Sequence, residues 1–173
     1  KPDEIFQVKN AQTWLRTQLV SGLRNDWSAP QEASSLHRLR KLSERSRQRR
    51  EAKRSESTNQ SSNQNVFLRD VRRLVKQDVV RRSAFGATTD FPFFERLVRF
   101  WANHFSIAAR NIQTRLLAGP YEREAIQPNI LGRFSDLAEH AILHPGMLAY
   151  LDNARSVGPN SAGSRNGRRG LNE

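Results

Sequence analysis

A chain of 173 residues can form one domain, but with 36% hydrophobic side chains and a mean hydropathy of -0.74 not all of it can join a core. No apolar run approaches the roughly 20 residues that span a bilayer, and the absence of cysteine excludes disulfides, thiolate metal sites and a cysteine nucleophile. The net charge of +12 lies mostly between residues 30 and 89, which excludes a uniformly basic surface.

The opening KPDEIFQVKN has no apolar secretory h-region. With the absent cysteines this favours the cytoplasm, although the chain begins without Met and its native start is open. Asn10 is placed to cap a helix whose stripe is Trp14, Leu15, Leu19 and Leu23, ended by Gly22 and NDWSAP. From Gln31 to about Arg54 the chain is Arg-rich, with a narrow apolar edge of Leu36, Leu39 and Leu42. SESTNQSSNQN, residues 55–65, reads as a polar linker, and residues 30–65 as a mobile insertion. Phe67, Val71, Leu74, Val75 and Val79 then give a strong helical signature, which FGATTDFP breaks. Asp90 is placed to cap the next helix with Pro92 in its first turn. On that helix Phe94, Leu97, Val98, Trp101, His104 and Phe105 share one face. AGP at 118–120 restarts the chain into YEREAIQ, which ends near Pro128. Ile130 to Ile142 marks another helix, closed by His144-Pro145, and Met147, Leu148 and Leu151 a last short one. The tail from Asp152 is loop chemistry, dense in Gly, Asn and Ser. No run alternates polar and apolar residues long enough for a strand, so the expected fold is an all-α, irregular multi-helix domain.

HRLRKLSERSRQRREAKR, residues 37–54, could follow a phosphate backbone. It lacks interleaved aromatics, and Glu44 and Glu51 interrupt it, so nucleic-acid binding is disfavoured against a solvated charged helix. The Asn-His-Phe run at 103–105 lacks the hairpin and further histidines of an H-N-H nuclease. No GxGxxG, GxxxxGK[ST] or HExxH occurs, so neither a nucleotide cradle nor a metalloprotease helix is supported. A scattered polar set remains: Asn103, His104, Arg123, Glu124, His140, His144, Asp152, Asn153 and Asn160. Adjacent Arg123 and Glu124 should belong to separate ion pairs, and a lone histidine on an apolar face is more often a core residue.

Taken together, ERLVRFWANHF, AGPYEREAIQPNILGRFSDL, HPGMLAYLDNARSVGPNS and RGLNE resemble the bacterial domain-of-unknown-function family DUF1800 in wording, order and spacing. The likeness is strong over residues 66–173 and loose at TWLRTQL. It implies a helical protein whose later signatures, an Asn-(Tyr/Leu)-Ala-Arg-Glu run and a Leu-His-Thr-Leu-Gly stretch, lie beyond LNE at 171–173. The expected partner is therefore the rest of its own domain, and apolar surface near Ile142 and Leu151 is expected to await it. The family's helix motif falls on Asn103 and His104, its Arg-Glu pair on Arg123 and Glu124, and its His-Pro on His144 and Pro145. Its Tyr-Leu-Asp motif falls on Asp152 and Asn153, and its downstream loop on Asn160, Asn172 and Glu173. Ala102 stands where many members have a second histidine, which weakens any paired-histidine metal site.

The candidate catalytic residues are thus His104, Glu124 and Asp152, expected to meet in one cleft and suited to acid–base or metal-assisted hydrolysis. Asn103, Arg123, His144, Asn153, Asn160, Asn172 and Glu173 are the candidate binding residues. The competing reading is a scaffold or partner-binding protein whose polar residues form a structural network. No cofactor, metal or oligomeric state is legible.

Overall fold

The computed structural model describes residues 10–24, 33–54, 60–153, 156–158 and 161. Among them there is no strand, and the fold is all-α. The helices are α1 (Ala11–Arg24), α2 (Ser35–Arg54), α3 (Gln60–Thr88), α4 (Pro92–His104), α5 (Ile112–Tyr121), α6 (Phe134–Leu143) and α7 (Pro145–Tyr150). A π turn, Glu122–Ile126, continues α5, and a 3-10 turn, Gln127–Asn129, follows it. None of the described helices is long and apolar enough to cross a membrane.

Local chemistry explains most of the boundaries. Asn10 caps α1 as expected, its Oδ1 accepting from the backbone of Gln12 at 3.0 Å and Thr13 at 3.2 Å. α5 opens with a reciprocal box: Asn111 Oδ1 accepts from Thr114 N at 2.9 Å, and Thr114 Oγ1 from Asn111 N at 3.1 Å. Asp90 does not cap α4 with its side chain. The helix begins after Phe91, which provides no side-chain cap. Buried Gln18 of α1 does the work instead, accepting from Phe93 N at 3.1 Å and donating to Asp90 O at 3.0 Å. An amide from a neighbouring helix satisfies both a free donor and a loop carbonyl, so α1 and α4 are joined at that end.

Three segments depart from their sequence expectation. α3 starts at Gln60, not at Val66, because polar residues propagate a helix cheaply once the following turns are packed. It also runs through FGAT to Thr88 instead of breaking there. The Arg-rich stretch forms the largely exposed charged helix expected, and its first turn is anchored by Arg38, only 1% exposed; linker residues 55–59 lie outside the described residues. AGP is not a restart but the interior of α5.

α5 is the centre of the molecule. It packs against α2, α3 and α7, while its π-turn continuation packs against α4 and α6, and α1 lies on α4. The larger apolar cluster comprises Phe94, Val98, Tyr121, Ala125, Ile126, Ile130, Leu137, Ala141 and Met147. Gly22 lets α1 approach Phe94, because a Cβ there would sit 2.6 Å from that side chain. A second cluster of Val71, Leu74 and Leu116 joins α3 to α5.

Gly119 is required for the same reason. A Cβ at 119 would lie 2.4 Å from Asp78 Oδ2 and 2.6 Å from its Cγ, and that carboxylate is pinned by Arg38. Helix propensity alone makes Gly→Ala favourable by about 1 kcal/mol. We expect Gly119→Ala to be net destabilising by about 1–3 kcal/mol, as overpacking of a fixed site is, read from the urea midpoint; a stabilised variant would contradict this packing.

Candidate functional site

The polar residues singled out in the sequence gather around the π turn. Pro120 inside α5 has no N–H, so the carbonyl of Leu116, four residues earlier, loses its helical donor. Arg38 supplies the replacement, with Nη1 donating to Leu116 O at 2.6 Å. The same guanidinium is bidentate on Asp78, at 2.5 and 2.9 Å. Arg123 adds a second cation to that carboxylate, at 3.3 Å, and donates to Ala33 O at 2.6 Å. Two guanidinium groups on one buried carboxylate leave an excess positive charge, which the carbonyls of Ala33 and Leu116 solvate. Burial lowers the Arg123 pKa from its usual value, while Asp78 opposes the shift.

Glu122, Arg123 and Glu124 are consecutive and each reaches a different partner, because neighbouring helical residues point in different directions. Glu122 pairs with Arg82 of α3, which also donates to buried Glu95 of α4 at 2.5 Å. Arg99 closes this second node on Glu95 at 2.7 Å. Burial raises the Glu122 pKa and Arg82 counters it. Glu124 accepts from the backbone N–H of Ser35 at 2.8 Å and from its hydroxyl at 2.5 Å, and so sits at the N-terminus of α2. His144 Nε2 lies 3.2 Å from the same carboxylate. His144 Nδ1 accepts from Gly146 N at 3.0 Å and caps α7, which leaves the proton of a neutral ring on Nε2, donated to Glu124. One glutamate thereby secures the starts of two helices. Burial pushes its pKa up, but the hydrogen bonds from His144 and from the Ser35 side chain and backbone outweigh that and hold it down to about 2.

The expected meeting of His104 with Glu124 or Asp152 does not occur. His104 is exposed at the end of α4, edge-on to Trp101 and Phe105 at ring-centre distances of 5.6 and 4.8 Å. Its imidazole makes no hydrogen bond with any described residue. Asn103 beside it is exposed too. Asp152 is exposed just past the end of α7 with φ of 57°, the left-handed conformation that ends helices and that Asp tolerates better than most residues. Asn153 is exposed and its carbonyl accepts from Ser156 N at 3.1 Å. Asn160, Asn172 and Glu173 lie outside the described residues. Of the candidates, the structure therefore brings together Arg123, Glu124 and His144. Among the described residues no three His, Asp or Glu side chains gather as a metal ion requires.

Sequence reasoning missed Ser35, Arg38, Asp78, Arg82 and Glu95. A signal existed for Asp78: it continues the apolar register Phe67, Val71, Leu74 at the next turn, where a carboxylate must find a partner. Tyr121 in the same region is 3% exposed, its hydroxyl has no hydrogen-bond partner among the described residues, and burial raises its pKa to about 12.

Two expectations follow. Because the Glu124 pKa falls from 4.5 to about 2 on folding, its stabilisation is complete above pH 4.5 and is lost as pH falls toward 2. Wild type should outmelt Glu124→Gln by about 1–2 kcal/mol at neutral pH, after allowance for a carboxylate one-third open to solvent, and the gap should close by about pH 2. A gap independent of pH would contradict the assignment. If Asp152 serves the backbone, Asp152→Gly should match or exceed wild-type stability while Asp152→Ala loses about 0.5–1 kcal/mol, by thermal unfolding.

No curated protein and no solved structure matches the chain. A family model described as "Protein of unknown function (DUF1800)" matches residues 2–173, and the chain belongs to that family.

Proposed function

We propose that this protein is a non-enzymatic, partner-binding helical scaffold, and that its family polar residues hold the helices in register. The observation that carries this reading is the mutual saturation of Arg38, Asp78, Arg123, Glu124, Ser35 and His144 around the π turn. A general base needs a pKa near the working pH and a free lone pair aimed at substrate. Glu124, with a pKa of about 2 and three donors on it, is a weak base most of whose hydrogen-bonding capacity is committed. Ser35 is bonded to the carboxylate and not to the histidine, so the trio lacks the nucleophile–imidazole contact of a hydrolytic triad.

The hydrolytic reading retains one supporting observation: Glu124 is about one-third exposed beside a buried histidine, 34% against 7% for the two side chains. The two readings differ in what substitution does. Assayed against ester, phosphoester and peptide substrates with and without divalent cations, the scaffold should show no turnover. His104→Ala should leave the melting temperature nearly unchanged, since that ring is exposed and forms no hydrogen bond with a described residue, whereas Glu124→Gln should lower it. Turnover lost in His104→Ala or Glu124→Gln at unchanged melting temperature would establish the enzyme and end the scaffold reading.

A further inference from the structure

The Arg-rich helix α2 carries more charge than the fold uses. Arg38 faces inward and is taken up by Asp78 and the Leu116 carbonyl. From 40 to 51 the helix then bears six cations against two acids, and one of the acids, Glu51, lies 3.1 Å from Arg47. Lys41, Arg45 and Arg49 stand at i, i+4 and i+8 on the wall of an open groove shared with α3, one cation per turn and about 6 Å apart along the axis. Glu44 lines the same wall, and Asp70 on the α3 side lies 3.8 Å from Arg73. The side of α3 turned away from Val71 and Leu74 repeats the pattern, with exposed Arg69, Arg72, Arg73 and Lys76 at i, i+3, i+4 and i+7. Lys41, Arg49, Arg69, Arg72 and Lys76 form no ion pair with another described residue. Like charges three and four residues apart repel each other and weaken a helix. Two such rows on neighbouring helices are a cost that packing does not require, because Arg38, Asp78 and the cluster of Val71, Leu74 and Leu116 already anchor both helices. A local rule broken without structural gain points to a use outside the fold.

From these rows we infer that α2 and α3 bind the phosphate backbone of a nucleic-acid duplex without reading its bases. A duplex presents one negative charge per about 1.7 Å of its axis, so a cation row of this pitch meets a phosphate at every turn. Arginine supplies most of the charge, and its planar fork suits phosphate oxygens. A single strand would need a stacking platform, whereas the groove offers Phe67 as its one aromatic and Arg45 lies over that ring, 5.5 Å from its centroid. A bilayer surface calls for an apolar face beside the cations, and among the described side chains of α2 the only large apolar one exposed is Leu36. A protein interface calls for a core depleted in charge, which residues 40–51 do not present. This inference names the partner class for the binding reading above and rests on it.

The test is a fluorescence-anisotropy titration of the 173-residue chain with two short labelled DNA duplexes of unrelated sequence. Salt is varied from about 50 to 200 mM. Both duplexes should bind alike, and log affinity against log salt should fall with a slope of about −2.7 or steeper, each of three neutralised phosphates contributing about −0.9. Lys41→Gln with Arg49→Gln should flatten that slope by about 1.8. The melting temperature of this variant should be equal or higher, because repulsion along α2 is relieved. The charge-matched pair Arg16→Gln with Arg133→Gln, exposed on α1 and ahead of α6, should leave the slope unchanged. Equal flattening by that control pair would show that net charge and not the row is read, and would overturn the proposal. So would no binding at the lowest salt, selection of one duplex over the other, or binding as tight to polyglutamate or to phosphatidylserine vesicles. The turnover assay is independent of these titrations, so loss of the duplex site and loss of the scaffold reading remain distinguishable.

Discussion

The Asp78 carboxylate is the constraint on which the rest of the structure depends. It is held by two guanidinium groups from different elements, and the helix beside it carries glycine at the point of closest approach. Removing one member of such a buried group typically costs about 3–5 kcal/mol because a charge is left unpaired. The lock also repairs a defect. Pro120 withholds a donor from Leu116, and Arg38 provides it. Glycine, proline and arginine in AGPYER are therefore one device: room for the carboxylate, a carbonyl freed for α2, and a second cation.

That device explains why a π turn follows. Glu122, Arg123 and Glu124 must reach α3, the Asp78 node and the start of α2 from successive positions. The extra residue of a π turn, a feature that recurs at functional sites, re-aims side chains within a continuing helix. Here the partners it reaches are other parts of the same chain. The fold is consequently fastened by polar contacts at its centre, with apolar clusters on either side.

Much of this was legible in the sequence and some was not, for physical reasons. Helical periodicity located the cores of α3, α4, α6 and α7, since apolar spacing reports the buried face directly. The ends were harder to read: Gln18 caps α4 from another helix, a long-range contact that no local window contains. AGP looks like a break because proline costs a hydrogen bond, and only tertiary structure shows Arg38 restoring it. Arg123, Glu124 and His144 were three of a wider polar set singled out by the family wording; Glu124 and His144 pair with each other, while adjacent Arg123 turns to Asp78. His104 belonged to the same familiar wording, but its position at the end of α4 sets it against Trp101 and Phe105 on an exposed aromatic edge. Phe100 and Phe134 belong to that edge and are more than half exposed, and Ile142 and Leu143 at the other end of α6 are half or more exposed as expected near Ile142.

A thermodynamic cycle on the central pair tests the account most directly. Arg38→Met, Asp78→Leu and the double variant would be compared with wild type by urea unfolding at neutral pH. If the polar group is a structural lock, each single change leaves a buried partner unmatched, and the double variant loses less than the two single losses combined, by about 2 kcal/mol or more, although Arg123 still lacks its carboxylate and Leu116 O its donor. Losses that simply add would show that Arg38 and Asp78 act independently, and the central claim would fail.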